Sequence, residues 1–227
     1  MEKLSKIDLR EGGFAGLKEH RFVMDSRVFG SGKEPQTWDG MGHFVYLADA
    51  RFMPKGQTMM HGHREVDVIS VMVKGRIDHK GSLEHGQSIQ AKQVQVQRAG
   101  GEGFSHNEIN PDSIENQMIQ LWVMPERLGE PAGYQLYSPN HGELTPVYGG
   151  AEQSFDSRTQ ISVANLNAGN EITLPSSALI YVSDGSVTLA NETVSAGTLV
   201  RSSVAQLDAK LTAIEASQVI VISLLDS

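Results

Sequence analysis

V-I-S-V-M-V-K-G-R-I-D-H, running from Val68 to His79, is echoed later in the chain by A-L-I-Y-V-S-D-G-S-V-T-L, from Ala178 to Leu189. Each is an apolar run broken by one glycine, with Gly75 standing opposite Gly185. The echo continues downstream, where Ile89-Gln90-Ala91-Lys92-Gln93-Val94 sits opposite Val194-Ser195-Ala196-Gly197-Thr198-Leu199. Two such strand–turn–strand units predict a duplicated β-sandwich. Its boundary falls in S-P-N-H-G-E-L-T-P-V-Y-G-G, Ser138–Gly150, which gives a first domain over 1–140 and a second over 146–227.

Short β-rich runs between turn residues support the all-β reading: Phe44–Ala48, Val66–Val73, Gln93–Gln97, Met118–Met124, Leu179–Val182, Val187–Ala190 and Val219–Leu225. Few windows sustain the 3.6-residue period of a helix, and close-spaced short strands point to sandwiches or barrels. Ser183-Asp184-Gly185-Ser186 predicts a hairpin, because Asp-Gly supplies the positive φ angles of a type I′ turn.

Composition narrows the function. The 227 residues carry a formal charge of −8, and residues 142–227 hold nine acids against three bases. Nucleic acid wants a basic face, so direct nucleic-acid binding is not expected. There are no cysteines, which excludes disulfides, thiolate metal sites and cysteine nucleophiles. The N-terminus, M-E-K-L-S-K-I-D-L-R-E-G-G, has charges where a signal peptide would need its apolar core. No apolar run approaches the ~20 residues of a membrane helix. The expectation is a cytoplasmic protein with no membrane association.

All eight histidines, His20, His43, His61, His63, His79, His85, His106 and His141, lie in the first 141 residues. Under the Gly75/Gly185 alignment, Glu171 and Thr173 replace His61 and His63, so only the first half can host a histidine site. In a strand, residues i and i+2 share a face, so His61 and His63 project side by side. His106 and Glu108, in S-H-N-E, repeat that spacing. Two adjacent strands would then build a shell of three histidines and one carboxylate. Imidazole and carboxylate without thiolate suit iron, manganese, nickel, cobalt, copper or zinc. Four protein ligands leave an open position, the mark of a catalytic rather than a structural metal.

G-Q-T-M-M-H-G-H-x3-D-x7-G resembles the first cupin motif, and G-E-G-F-S-H-N-E resembles the second-motif segment of the pirin branch of cupins. V-K-G-R-I-D-H-K-G-S-L and M-I-Q-L-W-V-M-P-E-R flank the second doublet and extend the likeness from about Pro54 to Tyr137. The resemblance is to the bacterial pirin-like proteins, which include quercetin 2,3-dioxygenases. It implies a bicupin whose N-terminal jelly roll alone binds metal, with His61, His63, His106 and Glu108 as ligands. It implies one divalent metal, Fe2+ first, and cleavage of a flavonol by dioxygen, with Glu108 as catalytic base. The alternative is a metal- or redox-sensing pirin-like regulator that binds a protein partner without turnover. Two departures stand out. Gly62 replaces the proline often found between the paired histidines, and Glu19–Gly30 matches the family's aromatic-rich N-terminal stretch poorly.

The remaining residues read more plainly. Asp67 is expected to support the site or the fold rather than ligate, and Phe104 and Trp122 are the leading aromatic pocket residues. His79 and His85 read as solvated loop histidines and His141 as an exposed linker residue, while His20 and His43 lie in the poorly matched N-terminal region, with donation to a ligand from behind as the less favoured role. Met59, Met60, Met72, Met118 and Met124 read as core filling, and Arg64 as solvent-facing.

Overall fold

The computed structural model describes residues 1–83, 86–150, 155–202 and 210–225. The first strands are β1 (Glu2–Ser5), β2 (Glu11–Phe14) and β3 (Leu17–Met24), followed by a helical turn, α1 (Ser26–Phe29), and β4 (Phe44–Phe52). Next come β5 (His61–His63), β6 (Asp67–Lys74), β7 (Arg76–Gly81), β8 (Ser88–Gln90) and β9 (Val94–Arg98). β10 (Phe104–Ile109), β11 (Gln117–Val123) and β12 (Gly133–Tyr137) follow. The rest of the chain holds β13 (Leu144–Tyr148), β14 (Thr159–Leu166), β15 (Glu171–Thr173), β16 (Ala178–Asp184) and β17 (Ser186–Leu189). β18 (Glu192–Ser195), β19 (Thr198–Ser202), β20 (Lys210–Ala213) and β21 (Ser217–Leu224) complete it. Among the described residues, no helix is long and apolar enough to cross a membrane.

The chain divides into two compact units, Leu9–Ser138 and Pro139–Ser227 together with Met1–Asp8. From the sequence alone the first domain would begin at residue 1. Residues 1–8 instead join the second unit, because β1 pairs antiparallel with β19, Leu4 opposite Leu199. The Leu9–Ser138 unit has a seven-stranded sheet, β12-β9-β6-β11-β4-β3-β2, and a four-stranded sheet, β5-β10-β7-β8. The other unit has β1-β19-β16-β21-β14-β13 and β15-β20-β17-β18. Strands β4 to β11 therefore recur in the same order as β14 to β21. The chain is a bicupin, and the echo read in the sequence is a structural repeat.

The two echoing glycines do a different job from the one expected. Asp184-Gly185 does not close a hairpin: β16 lies in the six-stranded sheet and β17 in the four-stranded one. Gly185, at φ 74°, is the corner that carries the chain from one sheet to the other, as Gly75 does at φ 73°. A Cβ on Gly185 would lie 2.3 Å from the Ala216 carbonyl oxygen. Only glycine adopts that φ freely and tolerates that approach.

Strand alternation decides what the first unit encloses. In β7, Ile77 and His79 are buried while their neighbours Asp78 and Lys80 are not. In β10, Phe104, His106 and Glu108 are buried and alternate with more exposed residues. One part of the core is apolar, built from Phe52, Met72, Ile77, Ile89 and Met118. Each such side chain contributes about 1.5–3 kcal/mol on burial. Another part is polar, with Ser70, His79, Gln95, Gln97, His106 and Glu108 all at most 1% exposed. Polar groups buried this deeply need partners, or they cost roughly 1–3 kcal/mol each.

Candidate metal centre

β5 and β10 pair antiparallel with His61 opposite His106 and His63 opposite Phe104. That register brings three imidazoles to one point. His106 Nε2 lies 3.0 Å from His61 Nε2 and 3.2 Å from His63 Nε2, and the three ligand atoms fall within 4.8 Å of one another. Neighbouring ligands on one ion bound at about 2.1 Å stand about 3 Å apart, so the spacing fits a shared cation.

The protonation states agree. Burial, with the neighbouring His61 adding to it, pushes the His63 imidazole down to about 4. Burial again, then His61, His63 and His79, holds His106 far below the usual histidine range. Both rings are therefore neutral at neutral pH. His61 Nδ1 lies 3.0 Å from the Met59 carbonyl oxygen, which only accepts, so that nitrogen carries the proton. In the neutral ring this leaves the Nε2 lone pair facing the cluster. Convergent lone pairs repel one another and are relieved by a cation.

Glu108 is not a member of this triplet. It lies two residues on from His106 and is also buried, but its oxygens accept from Ser70 Oγ at 3.3 Å and Gln120 Nε2 at 3.4 Å. Burial pushes its carboxyl up to about 7, against the pull of those two hydrogen bonds. Thr58 fixes its backbone, its Oγ1 accepting from the Glu108 N–H at 3.0 Å.

His61 and His63 open onto a cavity of about 660 Å³, whose lining also includes Thr58, Gln120 and Trp122. That volume falls within the range of small-molecule sites. One wall is an aromatic stack. Trp122 lies on Tyr46 with ring centroids 4.4 Å apart, and Phe29 lies 6.2 Å from Trp122. Trp122 also meets His63 edge-on at 5.6 Å. The same cavity is lined by Glu19, Arg21 and Met24. The register of β3 on β4 shifts between Arg21 and Val23, a bulge that lets both Arg21 and Met24 face inward. Arg21 donates to Glu19 Oε1 and, at 2.9 Å, to Glu34 Oε1, while Tyr46 OH donates to Glu19 Oε2 at 3.1 Å. The Glu19–Gly30 stretch that departs from the family pattern thus walls the cavity.

Other expectations sort as follows. Asp67 is fully buried and takes three hydrogen bonds from Arg98 at 3.1–3.2 Å. Phe104 packs on His63 and His106, with centroids 5.3 and 5.0 Å away. Arg64 and His141 are exposed. His43 faces Glu126, and His20 lies in β3 opposite Asp49; neither joins the triplet. His85 lies outside the described residues. Two readings are corrected. Met59 and Met60 are 54% and 61% exposed, because they sit on the loop that feeds β5 rather than in the core. His79 is no solvated loop residue: it is wholly buried, with Nε2 2.9 Å from His106 Nδ1. The two-residue alternation of R-I-D-H would have revealed it, since His79 shares its face with the core residue Ile77. Arg21, Glu19, Thr58 and Gln120 carried no such signal, because tertiary packing alone brings them together.

In the second unit β15 and β20 repeat β5 and β10, with Glu171 opposite Thr212 where His61 faces His106. None of the three histidines has a histidine counterpart there.

Residues 22–123 match the model of the family described as Pirin. A Zymomonas mobilis protein, ZMO1337, is 26% identical over 170 residues, 66% of this chain and 68% of its own. Quercetin 2,3-dioxygenase of Escherichia coli K12 is 30% identical over 76 residues, which is 33% of this chain and 32% of that one. Among solved structures, the bacterial pirin YhhW of Escherichia coli in complex with nickel(II) superposes with a TM-score of 0.81 at 17% identity, covering 100% of this chain and 99% of that one. Quercetin 2,3-dioxygenase from Acinetobacter baumannii gives 0.70 at 16% identity, covering 99% and 85%. At such identities the superpositions establish the fold.

Proposed function

We propose that the chain is a pirin-family protein, as the match over residues 22–123 supports, and that its first unit holds one divalent transition metal and cleaves a flavonol such as quercetin with dioxygen. The observation that carries this reading is the convergence of three imidazole nitrogens at a cavity with an aromatic wall. His61, His63 and His106 would hold the ion, and Glu108, on the same face of β10, would add the carboxylate. Fe2+ is the first choice, with Mn, Ni, Co, Cu and Zn accepted by the same donors. When bound, such an ion supplies a Lewis acid for an ionised substrate hydroxyl and an open position for dioxygen chemistry.

The chain's own residues supply the rest. Glu108 would serve as the base for the hydroxyl proton, a carboxyl that burial raises in the metal-free protein. Gln120 and Thr58 line the cavity and also hydrogen-bond Glu108, so they link the buried carboxyl to the substrate space. Trp122, Tyr46 and Phe29 give a flat ring a surface to stack on. Three neutral imidazoles would leave the ion's charge offset only by the Glu108 carboxylate.

The test is anaerobic reconstitution with each metal, followed by loss of quercetin absorbance on admitting air. Turnover with at least one metal supports the reading. No turnover with any metal, across several flavonols, overturns it.

A further inference from the structure

The triplet is backed by a polar track that the proposed reaction does not use. His79 Nε2 lies 2.9 Å from His106 Nδ1, on the side of the ring away from the cluster. Gln97 Nε2 lies 3.2 Å from the same His79 nitrogen, and Gln95 Nε2 donates to Gln97 Oε1 at 2.9 Å. His79, Gln95, Gln97 and His106 are all wholly buried. A β-sandwich core gains nothing in stability from such a track over apolar residues, so its chemistry needs another explanation.

Its direction supplies one. Gln95 donates to the Gln97 carbonyl, which orients the Gln97 amide so that its NH2 faces His79. An amide NH2 only donates, so His79 Nε2 must present its lone pair. His106 Nδ1, 2.9 Å from that lone pair, then carries the proton between the two rings, since two bare nitrogens would repel at that distance. With Nδ1 protonated, His106 Nε2 has no hydrogen and points its own lone pair at His61 and His63. A free histidine side chain prefers the opposite tautomer, with the hydrogen on Nε2, and in that form His106 could not ligate. His61 meets the same need through the Met59 carbonyl. On β10 the Nδ1 of His106 faces the sandwich interior, and β7 and β9 bring up a histidine and two amides instead.

We infer that His79, oriented by Gln97 and Gln95, is a positioning residue that fixes the tautomer of His106 and so prepares it to ligate. The consequence for affinity rests on the metal reading given above; the consequence for the tautomer does not. A partner behind a metal-binding histidine commonly sets its ring orientation and basicity, and its removal weakens binding.

Two variants of similar length separate hydrogen bonding from packing. His79→Gln offers an amide oxygen to His106 Nδ1, and His79→Met fills the space without an acceptor. The first readout is the long-range 1H–15N imidazole spectrum of the metal-free protein. Wild type and His79→Gln are expected to show His106 protonated at Nδ1, and His79→Met a shift toward Nε2–H. The second readout is competition titration with Ni2+. His79→Met is expected to bind about 10–100-fold more weakly than wild type, with His79→Gln recovering most of the loss.

A wild-type spectrum with the hydrogen on His106 Nε2 overturns the inference, and needs no variant to fold. So does a His79→Met protein with wild-type tautomer and affinity. Wild-type protein that takes up no Ni2+ overturns the metal reading instead, and the spectrum then decides the role of His79 by itself.

Discussion

His61 and His106 face each other across β5 and β10, and their Nε2 atoms lie 3.0 Å apart. They come from separate strands, so strand register alone creates the contact. His63 joins because it is two residues from His61 and shares its face.

A site built this way would be stabilised by the proposed ion. A ligand that binds only the folded state adds about 4 kcal/mol at a thousandfold excess over Kd. Thermal unfolding of the metal-loaded protein should therefore fall by several degrees on adding a chelator. His106→Ala should start from the lower value and show no response. An equal chelator effect in His106→Ala would place the stabilising ion elsewhere.

Glu108→Gln separates base from scaffold. Turnover should disappear while part of the metal affinity survives on three histidines; unchanged turnover would show that another group takes the proton. Stability should move the other way. The Glu108 carboxyl is raised to about 7 in the folded protein from an ordinary 4.5. Its penalty is absent below 4.5 and grows as pH rises through 7. Metal-free Glu108→Gln should match wild type at pH 4 and exceed it at pH 8, by on the order of 3 kcal/mol. Denaturant unfolding at the two pH values reads the difference.

Asp25 anchors the turn that carries Phe29 into the aromatic wall. It caps α1 by accepting from the Arg27 backbone N–H at 2.9 Å, and also takes the Arg27 side chain and the Gly40 N–H. The Arg27 hydrogen bond, with the backbone donors, lowers its carboxyl to about 2. A depressed carboxyl stabilises above its ordinary pKa and loses that as pH falls from about 4 to 2. Arg27 is 60% exposed, so the effect is about 1–2 kcal/mol after screening. Asp25→Asn should be less stable than wild type at pH 7 and nearly equal to it at pH 2. A constant difference would assign the loss to something other than charge.

Trp122 tests the cavity wall. Trp122→Leu keeps an apolar side chain but removes the stack with Tyr46. KM for a flavonol should rise about tenfold, with kcat changed far less, as expected when about 1–1.5 kcal/mol of stacking is lost. A loss confined to kcat would place Trp122 in the chemistry instead.

The bicupin fold was legible because its repeat is written in side-chain pattern: Gly75 and Gly185 mark the same corner in both units. The role of that corner was not, because Asp-Gly signals a turn without saying whether the flanking strands pair. The meeting of His61, His63 and His106 was legible from two-residue spacing. His79 was missed because its neighbour G-S-L-E reads as a loop, while β7 continues through it to Gly81. Arg21 escaped for a different reason: the bulge at Phe22 resets strand parity, and nothing local marks it.

The central claim is a divalent metal on His61, His63 and His106. The most direct measurement is Ni2+ or Fe2+ titration of the metal-free protein, with stoichiometry from elemental analysis and ligands from X-ray absorption. The account predicts one ion per chain, imidazole nitrogens at about 2.1 Å, and loss of binding in His61→Ala and His106→Ala. Failure to bind, or binding that survives both substitutions, would contradict it.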